Sequence, residues 1–319
     1  MASTIPHGPR STANQVLAGV DLTRRWIVVT GCDEEIGFET MNALAANGAH
    51  VFGLGSSLAS AKSACEQIGP RATPVACDLT DLDSVDAAAG MIRSLQVSLD
   101  AIIANAEVAV PSTLRTRYGV ELQFLGNHIG HFALVNQLLD LVRNGTGRIV
   151  IASSGAGDRR PPEGIMFDNL DGRRFYDPMT FYGQSKFAVA LYAKELSRRL
   201  RRRAIAVNSL HAGGSKGAGV LRQDLLLPLR VVRSTAQLFM RSAGQRAATG
   251  ALLAASPCVT GITGEYWSDC QVAEGNPLLN DRDLAKRLWD VSMQIIERIT
   301  NVTRINTGGY MIQREAIEP

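Results

Sequence analysis

The chain has 319 residues, of which 45% are hydrophobic and 20% are charged, as is usual for a globular protein with a large buried core. Its formal net charge of +3 is small and scattered, so it does not favour a nucleic-acid or membrane partner. The five cysteines are widely spaced and form no Cys-x-x-Cys pair, which argues against a zinc or other metal site and predicts a reduced, cytoplasmic protein.

Short apolar runs alternate with longer helical patterns along the chain. The runs are almost continuously hydrophobic, which indicates parallel strands that are covered on both faces. Helices are predicted over about 36–47, up to about residue 69 and over about 120–143, and strands over 26–30, 50–54, 73–77, 99–104, 148–152 and 204–210. This alternation predicts an α/β fold with a doubly wound parallel sheet of the Rossmann type, whose ligand lies at the carboxyl ends of the strands.

A single domain is predicted over 1–302, followed by a C-terminal tail over 303–319. Within the domain, 213–246 breaks the pattern with a Gly-rich start and an apolar stretch that contains several arginines. Because this segment follows the sixth predicted strand, it could fold over the cleft as a substrate lid. A pair of surface helices or a contact in a homo-oligomer explains the same composition equally well.

Tyr182 and Lys186 are the most informative pair of residues in the sequence. They are four positions apart in a segment that reads as helix, so their side chains project from one face and can share a site. A nearby ammonium favours the phenolate and so lets a tyrosine transfer protons closer to neutral pH. The pair comes after a predicted strand that ends beside Ser154 and a predicted helix that contains Asn127. Together these residues predict a proton-transfer site.

The order of these features resembles the short-chain dehydrogenase/reductase family over residues 14–300. Two stretches, 118–132 and 264–270, are similar to the branch that contains retinol dehydrogenase-type reductases. The resemblance implies an oxidoreductase that uses NAD or NADP. Its substrate would be a small-molecule ketone or aldehyde, or the corresponding alcohol.

The resemblance also implies the roles of four residues. Tyr182 would be the general acid or base, and Lys186 would lower the pKa of Tyr182 and hold the cofactor ribose. Ser154 would hydrogen-bond to the substrate carbonyl oxygen, and Asn127 would position a water that connects Lys186 to solvent. This set suits the reaction, because delivery of a hydride to a carbonyl leaves an alkoxide that needs a proton donor and a stabilising hydroxyl.

The family's phosphate-binding turn, Thr-Gly-x-x-x-Gly-x-Gly, corresponds to residues 30–37. By the resemblance, Gly31 would permit the tight turn, Gly37 would let helix and strand pack closely, and Ile36 would contact the cofactor. Glu35 stands where the middle glycine lets the pyrophosphate approach the backbone. With its two acidic neighbours it brings three carboxylates to a helix N-terminus that would otherwise receive an anion. Acidic residues at a helix start are also favoured by the helix dipole.

Further cofactor contacts are implied by position in the same family pattern. Asp78 and Leu79 match the pair that contacts adenine. Asn105 and Ala106 match the start of an Asn-Ala-Gly motif, in which Glu107 replaces the glycine. The end of the second strand carries neither the acid typical of NAD nor the arginine typical of NADP, so the choice of cofactor stays open.

These departures leave two alternatives to the hydride-transfer hypothesis. The first is a redox-neutral enzyme on the same fold that uses Ser154 and Tyr182 for proton transfer. The second is a non-enzymatic regulatory member of the family that has lost cofactor binding. The acidic turn favours both alternatives, whereas the intact set of Ser154, Tyr182 and Lys186 disfavours the second.

Overall fold

A sheet of eight strands lies at the centre of the protein, in a computed structural model that describes residues 5–211 and 241–307. In chain order the strands are β1 (Trp26–Thr30), β2 (His50–Gly55), β3 (Ala72–Ala76), β4 (Ala101–Ala104), β5 (Thr116–Arg117), β6 (Val120–Glu121), β7 (Arg148–Ser153), β8 (Ala206–His211), β9 (Tyr266–Ser268) and β10 (Gln271–Val272). The main sheet has the order β10-β9-β8-β7-β4-β1-β2-β3, and β5 pairs with β6 in a separate ribbon. All neighbours in the main sheet are parallel except β9 and β10, which form an antiparallel hairpin at one edge.

Helices cover both faces of this sheet. The α-helices are α1 (Ala13–Val16), α2 (Glu35–Ala46), α3 (Leu58–Ile68), α4 (Leu82–Ser94), α5 (His131–Leu138), α6 (Pro178–Arg199), α7 (Ala243–Ala255) and α8 (Arg282–Thr307), with 3-10 turns at Leu139–Leu141, Gly155–Arg159, Arg201–Arg203, Pro257–Val259 and Pro277–Asn280. Val28 packs into a core with α4, α5, α6 and α8, whereas its neighbours Ile27 and Val29 pack into a second core with α1, α2, α3 and α7. Alternate side chains of β1 therefore pack into two cores on opposite faces of the sheet, which confirms the predicted doubly wound α/β fold.

The six strands predicted from the sequence are all present, each within two residues of the predicted ends. The uninterrupted helix predicted over 120–143 is wrong. That stretch begins as strand β6, continues as a π-helix at Phe124–Gly130, and becomes the α-helix α5 only at His131. A π-helical turn inside a helix is rare and is often found at functional sites. Asn127 lies in the middle of it.

Two glycines explain how the π-helix fits against its neighbours. A Cβ added at Gly126 would lie 2.2 Å from a methyl carbon of Val108, and one at Gly130 would lie 2.2 Å from the carbonyl oxygen of Leu79. Both positions therefore allow the loops that follow β3 and β4 to pass close to the helix backbone. The turn is anchored at its start by the buried Glu121, whose Oε2 accepts a hydrogen bond of 3.0 Å from the Phe124 N–H.

Some predicted segments lie wholly or partly outside the described residues. Of the predicted lid at 213–246, only 241–246 is described, and α7 begins there at Ala243. The predicted domain boundary at residue 302 falls inside α8, which continues to Thr307. Among residues 5–211 and 241–307, no helix is long and apolar enough to cross a membrane. The same residues contain no group of three or more His, Cys, Asp or Glu that could hold a metal ion.

Two buried histidines join the π-helix to the rest of the fold. His131 Nδ1 lies 2.9 Å from the Asn127 carbonyl oxygen and its Nε2 lies 2.9 Å from Thr30 Oγ1, so a neutral ring with a proton on Nδ1 satisfies both contacts. His128 Nε2 contacts Ser292 Oγ of α8 at 2.7 Å. Burial lowers the pKa of His128 to about 3 and that of His131 to about 4. Both rings are therefore neutral at physiological pH.

These two histidines should make the fold sensitive to acid. The pKa values are depressed in the folded state, so below pH 6.5 the unfolded chain binds protons that the folded chain does not, and stability falls as the pH falls. Between pH 7 and pH 5, one such histidine costs about 2 kcal/mol. We expect His128→Phe, which keeps a ring of similar shape, to reduce the loss of stability over this range by about that amount, as measured by urea unfolding at both pH values.

His50→Phe is the matched control, because His50 is only partly buried. It should relieve less of the acid sensitivity than His128→Phe does. An equal loss of stability in wild type and His128→Phe between pH 7 and pH 5 would contradict the account of the buried ring.

Candidate active site

The carboxyl ends of β1, β4 and β7 meet the first half of α6, and this is where the predicted site residues gather. Helix α6 begins after Asp177, whose Oδ2 accepts hydrogen bonds from the N–H and the hydroxyl of Thr180 at 2.7 and 2.8 Å. Ser153 at the end of β7 donates to the carbonyl oxygen of Lys186 at 2.6 Å, which fixes the helix to the sheet. Tyr182 and Lys186 are both buried, with 9% and 2% of their surface exposed.

Three of the four residues predicted for proton transfer lie near one another. The side chain of Ser154, which follows β7, acts on the Tyr182 phenol and lowers its pKa. Lys186 Nζ lies 5.8 Å from the centre of the Tyr182 ring. The predicted spacing on one face of a helix is thus realised, and the hydroxyl from the neighbouring strand is within reach of the same point.

Asn127 has a different set of contacts from those predicted for it. Its Oδ1 accepts a hydrogen bond of 2.8 Å from the Val108 N–H, and its Nδ2 donates to Ser185 Oγ at 3.0 Å. Ser185 lies on α6 between Tyr182 and Lys186, so Asn127 ties the loop after β4 to the helix that carries both residues. The predicted role of Asn127 in positioning a water between Lys186 and solvent stays a prediction.

Glu107 is the site residue that the sequence-based reasoning missed. Its Oε2 forms an ion pair of 2.8 Å with Lys186 Nζ, and its charge raises the pKa of Tyr182. The substitution of glutamate for the glycine of the Asn-Ala-Gly motif was visible in the sequence. The signal that could have assigned its role is position, because a residue that directly follows a parallel strand lies at the same sheet edge as Lys186.

The ion pair changes the electrostatics that the Tyr182–Lys186 spacing predicts. Burial lowers the pKa of Lys186, but the charge of Glu107 and the phenol of Tyr182 more than offset this effect, so the pKa of Lys186 is raised overall. Burial raises the pKa of Tyr182; Lys186 lowers it, Glu107 raises it, and the net result is a raised value. Lys186 therefore acts on Tyr182 in the predicted direction, but burial and the added carboxylate outweigh it.

The phosphate-binding turn keeps the backbone that a dinucleotide requires. Gly31 has φ of +69°, in the left-handed region, where a side chain would be strained. A Cβ added at Gly37 would lie 1.9 Å from the Gly31 carbonyl oxygen, so helix α2 touches the turn directly. Thr30 Oγ1 accepts hydrogen bonds from the N–H groups of Asn105 and Ala106 at 2.8 and 2.9 Å, which joins this turn to the loop after β4.

The sequence predicts that the carboxylates of the turn gather at the N-terminus of the helix, but in the structure two of them point in different directions. Glu35, which replaces the middle glycine, is 68% exposed and forms an ion pair with Arg246 of α7. Its neighbour Glu34 points toward the site instead, because its Oε1 accepts a hydrogen bond of 3.2 Å from the Glu107 N–H. Glu34 is an exposed residue as a whole, but the packing around its carboxyl raises its pKa to about 7. The nearby charges of Glu107 and Asp33 add to this rise, while the hydrogen bond and Lys186 oppose it.

The remaining residues predicted for the cofactor lie around the same sheet edge. Asp78 Oδ1 accepts hydrogen bonds from the N–H and hydroxyl of Thr80, and Arg117 approaches its other oxygen at 3.9 Å. Leu79 is buried, and its carbonyl lies against the π-helix at Gly130. Ile36 lines a small pocket together with Asn105.

A dinucleotide fits the backbone of this site and meets two acidic side chains. By the resemblance, the glycine turn and the start of α2 would hold a pyrophosphate and the Asp78 loop would contact an adenine. The obstacle is on the side of the nicotinamide ribose, where Glu107 already holds Lys186. Binding of a ribose to Lys186 therefore requires Glu107 to give up this contact, and Glu34 adds a second negative charge nearby.

Comparison with known proteins finds short-chain dehydrogenases, in agreement with the fold. A family model described as short chain dehydrogenase matches residues 25–168. The short-chain dehydrogenase TIC 32 B, chloroplastic, of Brassica napus is 32% identical over 310 residues, which cover 92% of this chain and 95% of the relative. Retinol dehydrogenase 14 of Homo sapiens is 36% identical over 222 residues, which cover 67% of this chain and 64% of the relative.

A solved structure is similar over much of its length. It is that of the promiscuous reductase LugOII, which catalyses keto-reduction at C1 during lugdunomycin biosynthesis, and it is 25% identical to this chain with a TM-score of 0.57. The match covers 78% of this chain and 96% of that one.

The contact between Gly37 and Gly31 generates a stability prediction. Because a Cβ at Gly37 would meet a backbone carbonyl that cannot move alone, we expect Gly37→Ala to destabilise the protein by about 1–3 kcal/mol. The control is Gly90→Ala in helix α4, where an added Cβ would meet no atom of the described residues within 4 Å. Gly90→Ala should be neutral or stabilising by about 0.5–1 kcal/mol. Urea unfolding of both variants measures the difference, and equal stabilities would contradict the close approach of turn and helix.

Proposed function

This chain belongs to the short-chain dehydrogenase family, in its retinol dehydrogenase-like branch, and we propose that it is an oxidoreductase that transfers a hydride between NAD(P) and a ketone or aldehyde, or the corresponding alcohol. The observation that carries the proposal is the placement of Tyr182 and Lys186 on one buried face of α6, with Ser154 at the end of β7 acting on the Tyr182 phenol. The relatives support the substrate class, since one is named a retinol dehydrogenase and the similar solved structure is of a keto-reductase.

The proposed mechanism assigns one task to each side chain. A bound nicotinamide supplies or accepts the hydride. Ser154 donates a hydrogen bond to the substrate oxygen, and Tyr182 donates its proton to that oxygen when a carbonyl is reduced. Lys186 holds the positive charge beside Tyr182 and, when Glu107 moves away, would bind the ribose. The turn around Gly31 and Gly37 would hold the pyrophosphate.

A redox-neutral reaction on the same fold is the second candidate. It is favoured by the ion pair of Glu107 with Lys186, which occupies the group that a cofactor ribose would use. In that case Ser154 and Tyr182 would transfer a proton to or from the substrate, and no nicotinamide would be needed. Direct titration of the protein with NADH and NADPH separates the two candidates, because only the oxidoreductase should bind a nicotinamide dinucleotide.

The proposal also concerns partners and location. We propose that the partner of the site is a small-molecule carbonyl or alcohol substrate. Sedimentation of the purified protein would show whether the chain also forms a homo-oligomer. The sequence predicts the cytoplasm, whereas the relative from Brassica napus is named as chloroplastic. Fractionation of cells that express the chain would distinguish these locations.

The first prediction from this proposal concerns Tyr182. Tyr182→Phe removes the proton donor while the ring still packs, so we expect turnover of aldehydes and ketones with NADH or NADPH to fall by about 10²-fold or more. Tyr192→Phe is the matched control, because Tyr192 lies on the same helix and its hydroxyl is hydrogen-bonded to Asn136, away from the site. It should keep its activity. Substantial activity in a folded Tyr182→Phe protein would assign the acid to another residue.

The second prediction uses the two adjacent glutamates of the turn. Removal of a negative charge near a bound pyrophosphate should tighten the binding of NADH or NADPH, by roughly tenfold at low salt. We expect this from Glu34→Gln, whose side chain faces the site, and not from Glu35→Gln, whose side chain pairs with Arg246. Tryptophan fluorescence during the titration measures both affinities.

The pH dependence of this effect is fixed by the raised pKa of Glu34. Since that value is about 7, Glu34 is largely protonated at pH 6 and charged at pH 8, so the gain in Glu34→Gln should be larger at pH 8. It should also shrink at high salt, because part of the repulsion is screened. A larger gain from Glu35→Gln than from Glu34→Gln would overturn the assignment of the inward carboxylate.

A further inference from the structure

Glu107 provides a negative charge at the centre of the proton-transfer site. Its Oε2 lies 2.8 Å from Lys186 Nζ, which in turn lies 5.8 Å from the centre of the Tyr182 ring, so the charge of the carboxylate acts on both members of the Tyr182–Lys186 pair. Lys186 is 2% exposed, so solvent cannot replace this partner. A buried ammonium needs a compensating anion, and in this site Glu107 supplies it.

The loop that carries Glu107 is held firmly on both sides. The N–H of Ala106 is bound to Thr30 Oγ1 at 2.9 Å, and the N–H of Val108 is bound to Asn127 Oδ1 at 2.8 Å. The N–H of Glu107 itself donates to Glu34 Oε1 at 3.2 Å. Three consecutive backbone groups are thus anchored to three different elements, and the side chain starts from a defined point beside Lys186.

We propose that Glu107 is a positioning residue that keeps Lys186 paired and Tyr182 in its protonated, acid form, so that the site favours the reduction of a carbonyl over the oxidation of an alcohol. This inference rests on the proposed function and extends it to the direction of the reaction. In reduction, the substrate carbon gains a hydride from a nicotinamide and its oxygen gains the Tyr182 proton. In oxidation, the carbon gives up the hydride and a Tyr182 phenolate must accept the hydroxyl proton.

The charge balance explains why the phenol form is preferred. When Lys186 has no carboxylate partner, a phenolate at Tyr182 is the anion that can compensate it. With Glu107 in place the ammonium is already compensated, and a phenolate would add a second negative charge beside Glu107. Burial of Tyr182 already disfavours its ionisation and the nearby negative charge of Glu107 adds to this effect, so Tyr182 retains its proton.

The other groups around the pair do not reverse this balance. Glu34, from the phosphate turn, adds negative charge and acts in the same direction as Glu107 on Lys186. His131, from α5, is neutral near pH 7 because its pKa is lowered to about 4. Ser154, from the end of β7, stabilises the phenolate through its hydrogen bond, and burial and Glu107 outweigh it. Lys186 and Tyr182 themselves come from α6.

The test measures the ionisation of Tyr182 directly, in the protein without cofactor. The ultraviolet absorbance of tyrosinate is followed as the pH is raised, and the difference between wild type and Tyr182→Phe isolates the transition of Tyr182. We expect this transition above 10.0, the ordinary value for tyrosine. In Glu107→Gln it should move to lower pH, with about tenfold more phenolate at a given pH below the transition.

Two variants control for the removal of a carboxylate. Glu35→Gln removes a charge from the same acidic group, but its side chain pairs with Arg246, so the Tyr182 transition should stay in place. Glu107→Asp keeps the charge on a shorter side chain, and its transition should lie between those of wild type and Glu107→Gln. A wild-type transition at or below the ordinary tyrosine value overturns the proposal. If Glu107→Gln does not fold, the proposal is overturned when the Tyr182 transition of Glu107→Asp is identical to that of wild type.

The kinetic test uses the pH dependence of kcat/KM, which reports the ionisation of the free enzyme. In Glu107→Gln we expect kcat/KM for alcohol oxidation to begin its rise with pH about one pH unit lower than in wild type, in step with the tyrosinate transition. An unshifted tyrosinate transition, as would result if Lys186 loses its proton instead, overturns the role of Glu107. A shifted transition in a protein that turns over no nicotinamide-dependent substrate supports the role of Glu107 and overturns the proposed function, so the two failures are distinct.

Discussion

The ion pair between Lys186 and Glu107 is the interaction on which the site depends. It places a fully buried ammonium 2.8 Å from a carboxylate at the point where two parallel strands and a helix meet. The carboxylate is 36% exposed, but the ammonium is buried, so removal of the carboxylate would leave an uncompensated buried charge. Together with burial, it sets the protonation of Tyr182, and in the proposed function it would control the access of a ribose to Lys186.

The fold builds this pair by bringing distant segments together at one sheet edge. Thr30 binds the backbone after β4, His131 binds Thr30 and the Asn127 carbonyl, and Asn127 binds both Val108 and Ser185. These contacts form a continuous network from the phosphate turn to helix α6. The π-helix belongs to this network, since its tight packing against the loops after β3 and β4 holds Asn127 where it can reach both sides.

The proposed oxidoreductase thus combines a family proton-transfer set with an altered charge pattern. In the usual reasoning a lysine beside a tyrosine lowers the tyrosine pKa, and the enzyme can work in both directions near neutral pH. Here one added carboxylate neutralises that lysine, and a second, Glu34, lies beside the first. In the proposed enzyme, catalytic direction and cofactor affinity would be linked, because both would depend on whether Glu107 holds Lys186. A single glycine-to-glutamate difference from the family pattern can therefore alter the proton-transfer site although Ser154, Tyr182 and Lys186 match that pattern.

The sequence by itself determined the parallel sheet, its six main strands and the shared helix face of Tyr182 and Lys186, because these depend on periodicity and short spacing within the chain. It also brought Ser154 into the set, since a residue at the end of a parallel strand must lie at the ligand edge. Only the tertiary structure decided that Glu34 faces the site while Glu35 pairs with Arg246, and that Glu107 compensates Lys186. Those choices depend on side-chain directions and on partners 73 to 211 positions away in the chain, which local patterns do not encode.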